Sequence, residues 1–363
     1  MTDAFDRPDS ATELESELES ELEAELATDV VVVGAGPCGL AAAISLEKAG
    51  LRVVVLDASA VVSSILQYPT YATFFSTAEK LSLGGVPFIV ADAKPGRREA
   101  LVYYRAVVRH FGLAVRQYER VVAIEGEAPA LRVRSVRRGG EERVTRARAV
   151  VVATGYWGSP NLLNVPGEEL PHVTHAYREG HIAFQQPTVV VGGGNSAAEA
   201  ALDLWRAGAE VTLVHFGPDF DKKIKPWILP DLNNRIAEGA IQARWNSRVQ
   251  SIDATHVTTV GVDGTERRLR ADHVFLLTGY APNVALLRDA GVPIDPVTGI
   301  PRHDPTTLET SVPGVFVAGV VVAGFDANKV FIENGRFHGD FIAARLVGSA
   351  PPAPPTLSRE LDT

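Results

Sequence analysis

The chain has 363 residues, 46% hydrophobic and 22% charged, with a formal net charge of −9. That length can bury two sizeable cores, and the composition is ordinary for a globular protein. Residues 1–28 hold ten acids and one base, Arg7, so this segment alone carries −9 and residues 29–363 are formally neutral. A neutral body lacks the basic stripe that nucleic acid binding requires. No run of about 18 apolar residues is present to span a membrane, and the acidic start lacks an apolar signal core. The single cysteine, Cys38, excludes an intramolecular disulfide and a cysteine-based zinc cluster. These features lead us to expect a cytoplasmic protein.

In chain order, Glu13 to Leu26 repeats Glu-Leu-Glu-x, with Leu14, Leu18, Leu22 and Leu26 four apart. Like-charge repulsion along such a run predicts a solvated, disordered acidic tail over 1–28; a partner-binding helix is the alternative. Next comes Asp29-Val-Val-Val-Val-Gly34-Ala-Gly36-Pro37-Cys38-Gly39, an apolar strand running into a glycine turn. A helix is predicted over Leu40 to Ala49 and a strand over Arg52 to Leu56, closing on Asp57. A β-meander follows, with a hairpin near Gly139-Gly140 and an exit at Thr154-Gly155. The same grammar then recurs. Thr188-Val-Val-Val runs into Gly192-Gly193-Gly194-Asn195-Ser196-Ala197, a helix over Ala198 to Ala207 and a strand over Glu210 to His215. A hairpin at Asp263-Gly264 and an exit at Thr278-Gly279 complete the copy. Val315 to Gly319 and a helix through Arg336 to Leu346 should return to the first unit. Gly348 to Thr363, with Pro351, Pro352, Pro354 and Pro355, is predicted to be a disordered tail.

The glycines have separate tasks. Gly34 permits the tight turn, Gly36 lets the backbone approach a pyrophosphate, and Gly39 lets the helix pack closely on the sheet. The helix N-terminus at Pro37-Cys38 offers free N–H groups to the phosphates, and Asp57 stands where an acid accepts a ribose diol. In the second copy Gly192, Gly194, Asn195, Ser196 and Ala197 are the counterparts. That copy lacks the acid. Its strand ends in His215-Phe216, followed by Lys222, Lys223 and Lys225, and bases there favour a 2′-phosphate and hence NADPH. Two dinucleotide units predict an α/β protein with two Rossmann-like dinucleotide-binding domains, the second inserted into the first. Two nucleotide sites in one chain also imply electron transfer between two cofactors.

The chain order, the long meander and the insertion resemble the two-dinucleotide-domain flavoproteins related to thioredoxin reductase, over roughly 29–347. That resemblance implies FAD in the N-terminal unit (29–160 and 283–347) and NADPH in the inserted one (161–282). It implies FAD contacts from Thr154, Gly155 and Gly319, and from a helix starting near Ala327 whose positive end faces the flavin. The sequence departs from the superfamily in having Gly319-Val320 where Gly-Asp is usual. A closer resemblance rests on Gly-Pro-Cys38-Gly, Tyr68-Pro-Thr-Tyr-Ala-Thr-Phe-Phe75, Glu79-Lys80-Leu81, Lys225-Pro-Trp-Ile-Leu-Pro230 and Phe331-Ile-Glu-Asn-Gly-Arg-Phe-His338-Gly339. These strings resemble the YpdA-type family, regarded as NADPH-dependent bacillithiol disulfide reductases. A small-molecule disulfide substrate is implied, and a homo-oligomer and a bacilliredoxin-type partner are compatible with the resemblance.

Thioredoxin reductases carry Cys-x-x-Cys where this chain has Val173-Thr-His-Ala-Tyr-Arg-Glu-Gly180, with no cysteine. Electrons therefore reach the substrate from the flavin directly or through Cys38. At a helix N-terminus its thiolate would be stabilised; the alternative is a residue sized to fit beside the pyrophosphate. His172, His175, His181 and His338 are candidate acids for a leaving thiolate. Tyr68, Tyr71, Phe74, Phe75 and Trp227 are candidates for a pocket wall or for core. The runner-up function is a ferredoxin- or flavodoxin-type NADP reductase without thiol chemistry. A flavin monooxygenase fits less well, because Val165 to His172 does not match Phe-x-Gly-x-x-x-His, and a redox sensor fits least.

Overall fold

The structure is a computed structural model and describes residues 28–221, 224–326 and 329–353. The first sheet opens with β1 (Thr28–Val33), which runs parallel to β2 (Val53–Asp57), with β3 (Val115–Gln117) outside β2. On its other side β1 pairs in parallel with β6 (Glu142–Val152), in the register Val30 to Ala149 and Val33 to Val152. β6 changes character along its length. Its first half alternates exposed and buried residues and pairs antiparallel with β5 (Leu131–Arg137), which pairs with β4 (Glu119–Glu125). Its second half, Ala149 to Val152, is buried throughout and pairs in parallel with β15 (Val315–Val317). Alternation suits a sheet wetted on one face, and a continuous apolar run suits a parallel sheet covered on both. β15 is thus the return of the chain to its first sheet after the intervening unit.

Helix α1 (Pro37–Lys48) covers one face of this sheet, with Leu40, Ala42, Ala43 and Leu46 fully buried. α2 (Arg97–Phe111) packs on the same core through Tyr104 and Val107. The opposite face holds Val31, Val33, Val150, Val152 and Val317.

The second unit repeats the plan. Its five strands are all parallel, in the order β10 (Gln242–Arg244), β9 (Glu210–Val214), β8 (Pro187–Val191), β14 (His273–Leu276), β7 (Val173–Thr174). Helix α3 (Asn195–Arg206) packs its alanine face on β8 and β9. A three-stranded antiparallel sheet of β11 (Ser247–Ile252), β12 (His256–Gly261) and β13 (Glu266–Arg270) matches the first meander. Among the described residues no helix is long and apolar enough to cross a membrane.

The C-terminal region differs from expectation in one respect. Residues 329–331 are not helical, and a short helix α4 (Ile332–Gly335) starts only at Ile332. Asn334 sets that start, since its Oδ1 accepts the Phe331 N–H at 2.7 Å and its Nδ2 donates to Lys329 O at 2.9 Å. The last helix, α5 (His338–Val347), crosses α1 so closely that a Cβ at Gly339 would lie 2.5 Å from Ala42 Cα. Ala327 lies outside the described residues, as do Lys222, Lys223, the acidic segment 1–27 and 354–363.

Candidate active site

The first glycine turn is built by three different constraints. Gly34 has φ +111°, and a Cβ there would sit 2.4 Å from Ala153 O. A Cβ on Gly39 would sit 1.9 Å from Gly34 O, so α1 approaches the turn only because residue 39 is glycine. Gly36 is different, because a Cβ there would meet nothing within 4 Å. Space in front of Gly36 is what a pyrophosphate needs. No side chain caps α1 and no acid lies in its first turn, so its end is left to an anion.

Asp57 ties this turn to the second strand. Its Oδ2 accepts Ala35 N–H at 2.6 Å and its Oδ1 accepts Ser59 N–H at 2.7 Å. Burial raises its pKa, opposed by those two bonds. Each carboxylate oxygen keeps a further lone pair, which is the capacity a ribose diol would use.

The second turn follows the same logic with one relaxation. A Cβ on Gly192 would lie 2.4 Å from Leu277 O. Ala197, fully buried, occupies the place equivalent to Gly39, with its Cβ 3.0 Å from a Cβ position on Gly192. Gly194 has open space except for Asp221 Oδ2 at 3.4 Å from a Cβ position. Asn195 Oδ1 accepts Lys225 N–H at 2.8 Å, and Ser196 is exposed in the first turn. His215 does not face a ligand. It is 4% exposed and lies under the turn, with its ring 2.3 Å from a Cβ position on Gly193; burial lowers its pKa. Lys225 is not an open cation either, since its Nζ pairs with Glu199 at 2.6 Å.

The two units meet where their strands exit. The segment after Thr154-Gly155 bonds to the segment after Leu276: Ala281 N–H donates to Ser159 O at 3.0 Å, and next to it Asn161 N–H donates to Gly279 O at 3.0 Å. Aromatic rings cluster there. Trp157 lies 4.9 Å from Tyr68 and 4.7 Å from Tyr280, and Tyr68 lies 5.6 Å from Phe74. Tyr156, Trp157 and Tyr280 were not singled out from the sequence. The signal was present, because aromatic residues directly follow both Thr-Gly exits. Of the other candidates, Phe75 stacks on Trp227 at 5.6 Å away from this cluster, and Tyr71 is exposed.

Cys38 sits in the first turn of α1 against Gly319 and Gly335, with Sγ 3.3 Å and 2.8 Å from their Cβ positions. The residue is partly exposed, yet enough protein surrounds it to push its thiol up to about 12. This runs against the expectation of a thiolate stabilised by the helix end, and the cause is desolvation by burial. The Tyr68 and Tyr104 hydroxyls, which interact with it, are themselves held protonated by burial.

The histidines divide clearly. His175 Nε2 lies 3.3 Å from Glu168, whose carboxylate also accepts Leu163 and Asn164 N–H, and His181 is exposed. His338 is committed to backbone, its Nδ1 accepting Gly319 N–H at 3.0 Å. Gly319 has φ +72°, so this bond pins a left-handed turn beside Cys38. Burial, with His303 nearby, lowers the His338 pKa to about 4. A neutral ring with an occupied Nδ1 is a poor proton donor at pH 7.

A stability prediction follows from His338. Its folded pKa lies below the unfolded value of 6.5, so its contribution is complete above pH 6.5 and is lost as pH falls towards 4. His338→Asn, which can place Oδ1 where Nδ1 accepts, should stay near wild type at pH 7. It should remove on the order of 2 kcal/mol of the acid-side loss. Denaturant titrations at pH 7 and pH 5 test this; parallel losses in both proteins would refute it.

Two dinucleotide turns, a returning strand and paired exits define a pyridine-nucleotide-dependent, two-domain oxidoreductase fold with room for a flavin and a nicotinamide. The chain belongs to the pyridine nucleotide-disulphide oxidoreductase family, whose profile matches residues 31–319. Within it, the chain is 42% identical to bacilliredoxin reductase Bdr of Bacillus subtilis (strain 168) over 319 residues, 87% of this chain and 96% of that protein. The solved structure of bacillithiol disulfide reductase Bdr (YpdA) from Bacillus cereus superposes with a TM-score of 0.86 at 44% identity, covering 88% of this chain and 99% of that one. The Staphylococcus aureus structure of the same name gives 0.84 at 39% identity, covering 88% and 98%.

Proposed function

We propose that this enzyme binds FAD in the unit formed by 29–160 and 283–347, binds NADPH in 161–282, and reduces bacillithiol disulfide. The net reaction consumes one disulfide, one NADPH and one proton and yields two thiols and NADP⁺. One observation carries the reading: a single chain holds two open glycine cradles, at Gly36 and Gly194, on units whose strand exits are bonded together through Ala281 N–H and Ser159 O. When bound, the flavin supplies two-electron transfer that no side chain offers. Gly34, Gly36, Pro37, Cys38, Gly39 and Asp57 would hold the FAD diphosphate and ribose, with Thr154, Gly155 and Gly319 along its length. Gly192, Gly194, Asn195, Ser196 and Ala197 would hold the NADPH diphosphate. The choice of substrate is supported by the names of relatives at 39–44% identity. It is favoured over the ferredoxin- or flavodoxin-type reductase.

The test supplies purified enzyme with NADPH and, in separate reactions, bacillithiol disulfide, ferredoxin and oxygen alone. Rapid NADPH consumption with two thiols formed per NADPH is expected in the first. Turnover with ferredoxin and none with the disulfide would sink the proposal.

A further inference from the structure

The second strand of the nicotinamide unit ends without an acid, and the place beside that end is where the adenosine ribose 2′ position lies in this type of fold. The structure shows what stands there. His215 N–H donates to Arg244 O at 2.9 Å, Ser247 N–H donates to His215 O at 3.0 Å, and Asn246 N–H donates to Gly217 O at 2.9 Å. Residues 215–217 are therefore stitched to the 244–247 connection between β10 and β11. This brings the start of β11 over the strand end. Arg248 lies there with its guanidinium 4.8 Å from the centre of the Phe216 ring.

Both partners of this pair are open to solvent, Phe216 at 58% exposure. Arg138 over Tyr118 is a similar exposed pair elsewhere, so it is the position of the Arg248 pair at the end of β9 that points to a ligand. Among the described residues no carboxylate pairs with Arg248, in contrast to Lys225, which Glu199 holds. Stacking leaves the edge of the guanidinium plane, with its N–H donors, free to meet a phosphate. A second guanidinium is close in the chain and in register: Arg244 pairs with Val214, and its buried Nε has no partner.

From this geometry we infer that Arg248, positioned by Phe216, recognises the 2′-phosphate of NADPH and sets the preference over NADH. The inference rests on the NADPH reading above. It adds a determinant from β11, outside the parallel sheet and outside the segment with Lys222 and Lys223. Asp219 and Asp221 lie in the intervening loop, with Asp221 directed at Gly194 and the diphosphate end. Asp219 lies nearer the strand end, within electrostatic reach of His215, and its Oδ1 accepts the Phe220 N–H at 2.7 Å.

Calorimetric titration of the full chain with adenosine 2′,5′-bisphosphate and with 5′-AMP isolates the 2′-phosphate without using activity. Wild-type protein should bind the bisphosphate more tightly. Arg248→Gln should cut that preference about tenfold, the scale of one charge-assisted hydrogen bond, with 5′-AMP affinity unchanged. Arg248→Lys should restore part of it, and Phe216→Ala should give an intermediate loss. In steady-state assays Arg248→Gln should raise KM for NADPH and leave KM for NADH and kcat near wild type. If wild type discriminates and Arg248→Gln keeps the full ratio, the assignment to Arg248 is wrong while the NADPH reading stands. If wild type shows no preference for the bisphosphate, both fail together.

Discussion

Gly36→Val should yield a folded but colourless protein. The three glycines of the first turn predict two kinds of outcome, and only substitution at Gly36 separates binding from folding. At Gly34 the backbone is left-handed and a Cβ would strike Ala153 O at 2.4 Å; at Gly39 it would strike Gly34 O at 1.9 Å. Substitution at Gly34 has to push the turn from the exit of β6, and substitution at Gly39 has to push α1 from the turn, so Gly39→Ala should lower stability by several kcal/mol or prevent folding. Gly36 has φ −71° and ψ 171°, which valine adopts readily, and its Cβ would enter empty space. That space is the proposed path of the FAD diphosphate, so the isopropyl group costs binding and little else. Circular dichroism and a melting curve near wild type, with flavin absorbance at 450 nm below about a tenth of wild type, are expected on that steric argument. A yellow Gly36→Val protein with full flavin content would move the flavin to another place in the fold.

How far the sequence reads through to structure depends on the range of the interactions. Turns that need Gly34 and Gly192, apolar runs such as Val30 to Val33, and the hairpins at Gly139 and Gly264 are local, and each lies where the pattern put it. The return of Val315 to Val317 beside β6 was legible because the first unit was otherwise missing a parallel neighbour. Functional placement was less legible wherever a tertiary contact decides it. His215 looked like a ligand-facing strand end, but odd and even residues face opposite sides of the sheet, and 215 falls under the turn while Phe216 emerges. Cys38 looked activated because helix position is readable from sequence. The crowding by Gly319 and Gly335 comes from segments about 300 residues away and is not. The same holds for His338, whose bond to Gly319 joins positions that no local pattern links, and for the helix start at Ile332, which Asn334 fixes from within the turn.

Cys38→Ala should retain its flavin and its reduction by NADPH, and lose turnover of bacillithiol disulfide. Alanine fits the site, since it is smaller than cysteine and α1 already carries alanine at positions 41 to 43. The loss follows if Cys38 carries the exchange step: its sulfur attacks one sulfur of the bound disulfide, the disulfide bond breaks, one thiol leaves with a proton, and a mixed disulfide remains. Protein stopped in that state should gain the mass of one thiol. The structure adds a condition to this step. Burial holds the thiol protonated at neutral pH, and neither Tyr68 nor Tyr104 is ionised to take its proton. The reactive thiolate is therefore a small fraction that grows as pH rises towards about 12. Disulfide turnover should climb by up to about tenfold per pH unit between 7 and 9, while reduction of the flavin by NADPH lacks that slope. A flat profile with Cys38→Ala at the wild-type rate would make the cysteine a space-filling contact between Gly319 and Gly335. Electrons would then have to pass to the disulfide without any protein sulfur, because the chain has no other cysteine.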